Sequence, residues 1–246
     1  MTWEIAVLAL IGFAGAFVFG VTGFGVALVT IPLATQFVPL QFALAVFALM
    51  DLSCAASVGL ENPRNAVRSE WLRLVPTIVV GTLLGVTLLV KLPRQAGMLL
   101  LGLFVLAFSA YNLYTLYGRR QPGLVSQRWA WLAGLGGGVT SSVFGAGGPP
   151  YVIYLSQRGL TKEQFRATLG LTQLTSISTR VVAFFLSGLL LHWDVWLAAA
   201  AVVPSALTAI WLARKVYTRI SRELFMRAIA VLLLVSGVSL VFRALS

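Results

Sequence analysis

Arg180 stands inside the apolar run from Ala167 to Leu191, whereas the other positive side chains fall in loops or at segment ends. An arginine near the centre of a bilayer costs about 2.5–3.5 kcal/mol on insertion scales. Such a residue must face the protein interior and hold a partner. Asp51 lies in the corresponding place of an earlier apolar run, Gln41 to Leu60. One reading pairs the two as a buried ion pair that holds the chain together. In the other, the guanidinium fork of Arg180 binds a travelling oxyanion, and Asp51 is a pairing partner or a protonatable gate. Both stand on sequence grounds.

A second source of anion chemistry is the backbone. From Ile5 to Leu40 the chain is nearly continuously apolar, too long for one span of roughly 20 residues, and it is interrupted by Gly20-Val21-Thr22-Gly23-Phe24-Gly25. The stretch from Trp129 to Leu155 repeats the pattern around Gly145-Ala146-Gly147-Gly148-Pro149-Pro150. A helix broken at mid-depth points the free N–H groups and positive dipole end of its second half at the membrane centre. The candidate donors are the amides of Thr22, Gly23, Phe24 and Gly25, and of Gly147, Gly148 and Tyr151. Pro149 and Pro150 lack the N–H but suit a first helical turn. Alternatively, the glycines only allow close helix packing.

Gln173 and Ser176 lie on the segment of Arg180, with Thr168, Thr172, Thr175 and Thr179 at helical spacing on one face. These hydroxyls either line a hydrated path or bond to neighbouring helices, and Thr140, Ser141 and Ser142 share that ambiguity. Cys54 is the single cysteine, so no intrachain disulfide forms and it reads as a small buried hydrophobe. His192 and Asp194, beside Trp193 and Trp196, read as an interfacial belt. No second ligand accompanies the histidine at metal spacing, and Gly136-Gly137-Gly138 lacks the lysine of a phosphate loop. GxSxG and HExxH patterns are absent too. No metal, cofactor or catalytic residue is therefore expected.

The elements that must position these residues are membrane helices. Of 246 residues, 59% are hydrophobic and 10% charged, and the mean hydropathy is +0.93. No soluble core could absorb that much apolar surface. The net charge of +11 fits short basic loops that stay in the cytoplasm. No basic stripe with interleaved aromatics is present, which argues against nucleic acid as a partner. The N-terminus has no basic region followed by a cleavage site, so it reads as part of the mature protein.

The spacing predicts an all-α membrane protein of two homologous four-segment repeats. The first covers residues 1–118 and the second 129–246, joined by a polar linker at 119–128. Phe19 and Phe144 precede the two breaks at an offset of 125 (144 − 19), and Val75-Pro76-Thr77 matches Val203-Pro204-Ser205 at 128 (203 − 75). Further spans are expected at Leu74–Val90, Ala96–Tyr117, Trp196–Ala213 and Leu224–Phe242, with the Arg180 span at Arg166–Leu191. If all eight segments cross, loop cations divide seven against ten. If the two broken segments are re-entrant hairpins, Lys91, Arg94 and Arg243 (three) face fourteen. The positive-inside rule selects the hairpins. The repeats are then inverted, with both termini outside the cytoplasm.

The two glycine-rich segments resemble those of the TauE/SafE family of membrane anion transporters, the sulfite exporters. Gly20-Val-Thr-Gly-Phe-Gly25, followed by Pro32, is similar to the first copy, and Gly145-Ala-Gly-Gly-Pro-Pro150, followed by Tyr151 to Tyr154, to the second. The resemblance covers essentially the whole chain. It implies movement of sulfite, sulfonates or related sulfur-containing anions across the cell (inner) membrane, with proton-motive coupling. Asp51 and Arg180 are read from this chain, not from the family's motifs.

The expectation is a secondary transporter that moves small sulfur-containing oxyanions by alternating access, with Arg180 as the anchor between the two breaks. An anion channel built from the same residues is the alternative, and a non-transporting membrane scaffold is a third. The expected partners are a small anion and lipid, with a homo-oligomer left open.

Overall fold

A computed structural model describes residues 2–22, 26–60, 62–117, 124–216, 234 and 237–242. The tip Gly23-Phe24-Gly25, the linker residues 118–123 and most of the span expected at Leu224–Phe242 lie outside the described residues. The elements in chain order are α1 (Thr2–Thr22), α2 (Val26–Ala34), α3 (Leu40–Gly59), α4 (Arg68–Lys91), α5 (Arg94–Tyr117), α6 (Ala130–Phe144), α7 (Gly148–Ser156), α8 (Lys162–Leu186) and α9 (Trp193–Val216). Five described helices are long and apolar enough to cross a membrane: α1, α3, α4, α8 and α9. α5 is 24 residues long, and its described apolar stretch is Gln95–Tyr111.

At 1.5 Å per residue, the nine residues of α2 and of α7 reach only about 13 Å, under half the hydrocarbon thickness. Neither continues the helix before it. A Cβ placed on Gly137 of α6 would overlap the ring of Tyr151 on α7, and one on Gly15 of α1 would overlap Thr30 of α2. Residues that a straight helix would hold about 20 Å apart thus touch, so each short helix folds back along its predecessor. The backbone of the second turn is set by Gly145, whose φ of 72° lies in the left-handed region. The amides of Gly145 and Ala146 both donate to the carbonyl of Thr140, which satisfies two groups at the break.

The most extensive packing joins α4 to α6 and α1 to α9, with α3 crossing against α8 and α9. Small residues permit it. Gly81, Gly85, Gly134 and Gly138 bring the α4 and α6 backbones into direct contact. Eight of the nine α2 residues are buried, and α3 is apolar on nearly every side around Leu44, Phe47 and Met50. Outward-facing Leu83, Leu84, Val182, Phe185, Leu207 and Trp211 are exposed, as lipid contact requires.

Three expected boundaries are corrected. α4 starts at Arg68 rather than Leu74, and α9 runs Trp193–Val216 rather than Trp196–Ala213. The helix carrying Arg180 starts earlier and ends earlier than Arg166–Leu191. Thr161 and Gln164 form a reciprocal capping box that begins α8 at Lys162. At the far end, the amides of Ser187 and Gly188 donate to Ala183 and Phe185, and Gly188 takes a left-handed φ of 86°. Arg180 therefore lies in the last third of its helix, fewer than two turns from the end.

Candidate functional site

Three elements meet at Arg180. α8 supplies the guanidinium, α3 supplies Asp51, and the end of α6 supplies a carbonyl freed by the break at Gly145. Arg180 Nη2 donates to Asp51 Oδ2 at 2.7 Å and Nη1 donates to the Ser141 carbonyl at 2.8 Å. The two charged residues are 1% and 4% exposed. The guanidinium also lies 6.0 Å from the Phe184 ring centroid on its own helix.

The ion pair is half made. An arginine and a carboxylate ordinarily meet through two parallel N–H···O bonds, but here only one forms. Arg180 Nε and Asp51 Oδ1 are both buried without a hydrogen-bond partner. A buried donor left unsatisfied costs about 1–3 kcal/mol, and more when it is charged. Fold stability alone would favour closing the second bond. One guanidinium N–H and one carboxylate oxygen are left without a bond to protein.

Beside the pair is a cavity of about 30 Å³, lined by Asp51, Ser141, Gly145, Gly147, Gly148, Pro149, Tyr151, Gln173 and Ser176, with Phe19 and the first turn of α2 closing it. It has room for about one or two waters. Tyr151 is fully buried, and its hydroxyl donates to Ser176 Oγ at 3.0 Å. Gly147 precedes the first turn of α7 with no side-chain cap. Its amide and that of Gly148 are the donors at this end, because Pro149 and Pro150 carry none. Tyr151 is the fourth residue of α7, and it is its phenol that lies at the cavity, bonded to Ser176.

The threonine stripe does not line this cavity. Thr172 and Thr179 donate to the carbonyls of Thr168 and Thr175 on their own helix. Thr168 accepts the amide of Val67, and Thr175 accepts Trp71 Nε1, both from the start of α4. Two of the four threonines thus fasten α8 to α4, and the other two bond within α8. Ser142 likewise donates to the carbonyls of Thr82 and Gly138. Thr22 ends α1, and Gly23, Phe24 and Gly25 lie outside the described residues, so only the second break is seen at the site. Cys54 is buried and free. His192 and Asp194 are exposed at the start of α9, where Trp196 Nε1 donates to the Leu190 carbonyl. Among the described residues no three His, Cys, Asp or Glu side chains gather as a metal site. Sequence reasoning missed the Ser141 carbonyl and the α2 wall, since both depend on the fold-back of the short helices.

Gly145 gives a local test. A Cβ there would stand 2.9 Å from Ala27 Cβ and 3.3 Å from Arg180 Nη1, and a left-handed φ adds about 1–2 kcal/mol for a non-glycine residue. Gly145→Ala is expected to lower the thermal midpoint of detergent-solubilised protein by several degrees. Gly136→Ala meets nothing within 4 Å and is expected to leave it equal or higher, since alanine favours helix by about 0.5–1 kcal/mol. Equal midpoints for both variants would contradict this account of the break.

Helices too apolar for water, two fold-backs and a buried half-paired cation define a polytopic helical membrane protein with an internal polar site. The model of the sulfite exporter TauE/SafE family matches residues 8–240, and the chain belongs to this family of membrane transporters. It is 29% identical over 196 residues, 78% of this chain and 80% of the relative, to the "Probable inner membrane transporter protein TsaS" of Comamonas testosteroni. It is 28% identical to the "Probable sulfite/organosulfonate exporter TauE" of Cupriavidus necator, over 97% of this chain and 93% of that one. No solved structure matches the chain.

Proposed function

We propose that this protein is a secondary transporter of the inner membrane for small sulfur-containing oxyanions such as sulfite or an organosulfonate, anchored on Arg180. The observation that carries the reading is the half-made Arg180–Asp51 pair beside the amides of Gly147 and Gly148. In the described conformation Asp51 occupies the place of an anion on Arg180. The cavity is too small for a sulfonate in this conformation. An arriving oxyanion takes the open Nε and the neighbouring Nη edge, with Tyr151, Gln173 and Ser176 as further polar contacts. Asp51 then loses its counter-charge. A proton on Oδ1 restores neutrality, which couples one proton to one anion.

Alternating access follows from a repeat architecture. What supports repeats is that element starts recur at similar offsets: 130 − 2 gives 128, 148 − 26 and 162 − 40 both give 122, and 193 − 68 gives 125. Contacts recur under the same offsets. Gly12 against Val202 is mirrored by Gly134 against Thr77, and Gly20 against Ile210 by Ser142 against Gly85. Each half thus packs its first helix on the other half's fourth element. Re-entrant α1–α2 and α6–α7 hairpins with extracytoplasmic termini agree with both the fold-back and the loop charges.

Ligand binding tests the reading without transport. Millimolar sulfite, taurine or sulfoacetate is expected to raise the unfolding midpoint of the purified protein. At 100 times Kd the stabilisation is about 2.7 kcal/mol. The double variant Arg180→Met/Asp51→Leu is expected to show no shift. Equal shifts in both proteins would remove Arg180 from the site.

A further inference from the structure

A second buried polar cluster lies outside the site. Glu70, in the first turn of α4, is 4% exposed. Its Oε1 accepts from Arg158 Nη2 at 2.9 Å, Arg158 Nε at 3.2 Å and Arg73 Nη1 at 3.1 Å. Its Oε2 accepts from the Tyr154 hydroxyl. Arg158 also donates to the Val125 carbonyl, and the Val125 amide donates to Gln157. Hydrogen bonding to Glu70 raises the Arg158 guanidinium further above its ordinary value.

This cluster grips the far end of α7. Tyr151 and Tyr154 are three residues apart and so share a face of that helix. Tyr151 reaches the cavity, while Tyr154 reaches Glu70. The two tyrosines and Leu155 pack with Leu74, Ile78, Ala130 and Leu169 in a small apolar cluster separate from the main core. By contrast, α2 lies within the main core. At the repeat offsets, the counterparts of Glu70, Tyr154 and Arg158 are Val195, Pro32 and Gln36, so these three residue types are not repeated. The far end of α7 is held by polar bonds that can be exchanged for water.

We propose that Glu70, Tyr154 and Arg158 form a latch that keeps α7 closed over the cavity, and that its release opens the site toward the face on which Arg158 lies. These three are positioning residues, acting on Tyr151 and the Gly147–Gly148 amides through the rigid α7. The proposal rests on the transporter reading above for the meaning of the cavity.

The test reads access rather than activity. Ile177 of α8 also lines the cavity, so in a Cys54→Ala background Ile177→Cys places a thiol on its wall. Its labelling by a membrane-impermeant maleimide is followed in right-side-out and inside-out vesicles, with Arg158→Cys in a separate protein marking the Arg158 face. Glu70→Gln and Arg158→Ala are expected to speed labelling of Ile177→Cys from that face about tenfold, equivalent to about 1.4 kcal/mol, and to slow it from the other. Arg158→Lys is expected to restore most of the closed state. If Glu70→Gln does not accumulate in membranes, Tyr154→Phe, which leaves every charge in place, is read the same way.

Unchanged labelling, or equal acceleration from both faces, would overturn the latch. A face-selective shift in a protein that moves no sulfur anion would keep the latch and overturn the transporter reading. Flux without a shift would do the reverse.

Discussion

Arg180→Met is expected to reduce sulfite flux about 100-fold or more and to destabilise the protein as well, and the two losses separate in a double variant. Removing a charged anchor from a desolvated contact costs about 2–5 kcal/mol of binding, and each 1.4 kcal/mol is about tenfold. The same substitution leaves Asp51 buried at 4% exposure with no counter-charge. Breaking a buried pair from one side costs about 3–5 kcal/mol of stability. Adding Asp51→Leu removes the stranded carboxylate. Replacing both ions with apolar residues is often neutral or stabilising, so Arg180→Met/Asp51→Leu should regain the parent's thermal midpoint. It should not regain flux. If flux returned with stability, the pair would be a structural fastening and the site would lie elsewhere.

Asp51→Asn has the second large effect, and it divides rate from coupling. The amide keeps an oxygen for the bond to Arg180 Nη2 but carries no charge and takes up no proton. With its internal anion gone, Arg180 becomes a better host for an external one. KM for the sulfur anion is expected to fall about tenfold, the equivalent of 1.4 kcal/mol. Exchange of labelled for unlabelled anion should continue, because it needs no net proton movement. Uptake against a concentration gradient, driven by a pH difference, should disappear. Accumulation that persists in Asp51→Asn would move proton coupling to another group or remove it from the mechanism.

Much of this was legible in the sequence because bilayers simplify the problem. A lone guanidinium in an apolar run demands a partner, and Asp51 was the obvious one; the 2.7 Å contact brings them together. The glycine breaks marked where helices end, since an αL residue such as Gly145 and the Pro149–Pro150 pair are local signals. Long-range consequences were less visible. Loop charges pointed to a hairpin, but which residues α7 meets, such as Gly137, is a contact between helices that no spacing rule encodes. The end of the Arg180 helix was misplaced because the apolar run continues past Leu186, whereas the helix stops at the Ser187–Gly188 turn. The threonine face stayed open between a pathway and a fastening because sequence shows the hydroxyls without their acceptors. Glu70 drew no attention at the edge of a basic loop, although a carboxylate near several arginines is a signal that could have been followed.

The most direct test of the central claim is flux of labelled sulfite into proteoliposomes containing the parent or Arg180→Met/Asp51→Leu, with taurine and sulfoacetate as competitors and pH gradients of either sign. The account predicts saturable, competed and gradient-sensitive flux in the parent, with none above empty liposomes in the equally stable double variant. Flux of the same size in both proteins, or none in the parent with any of these anions, would contradict it.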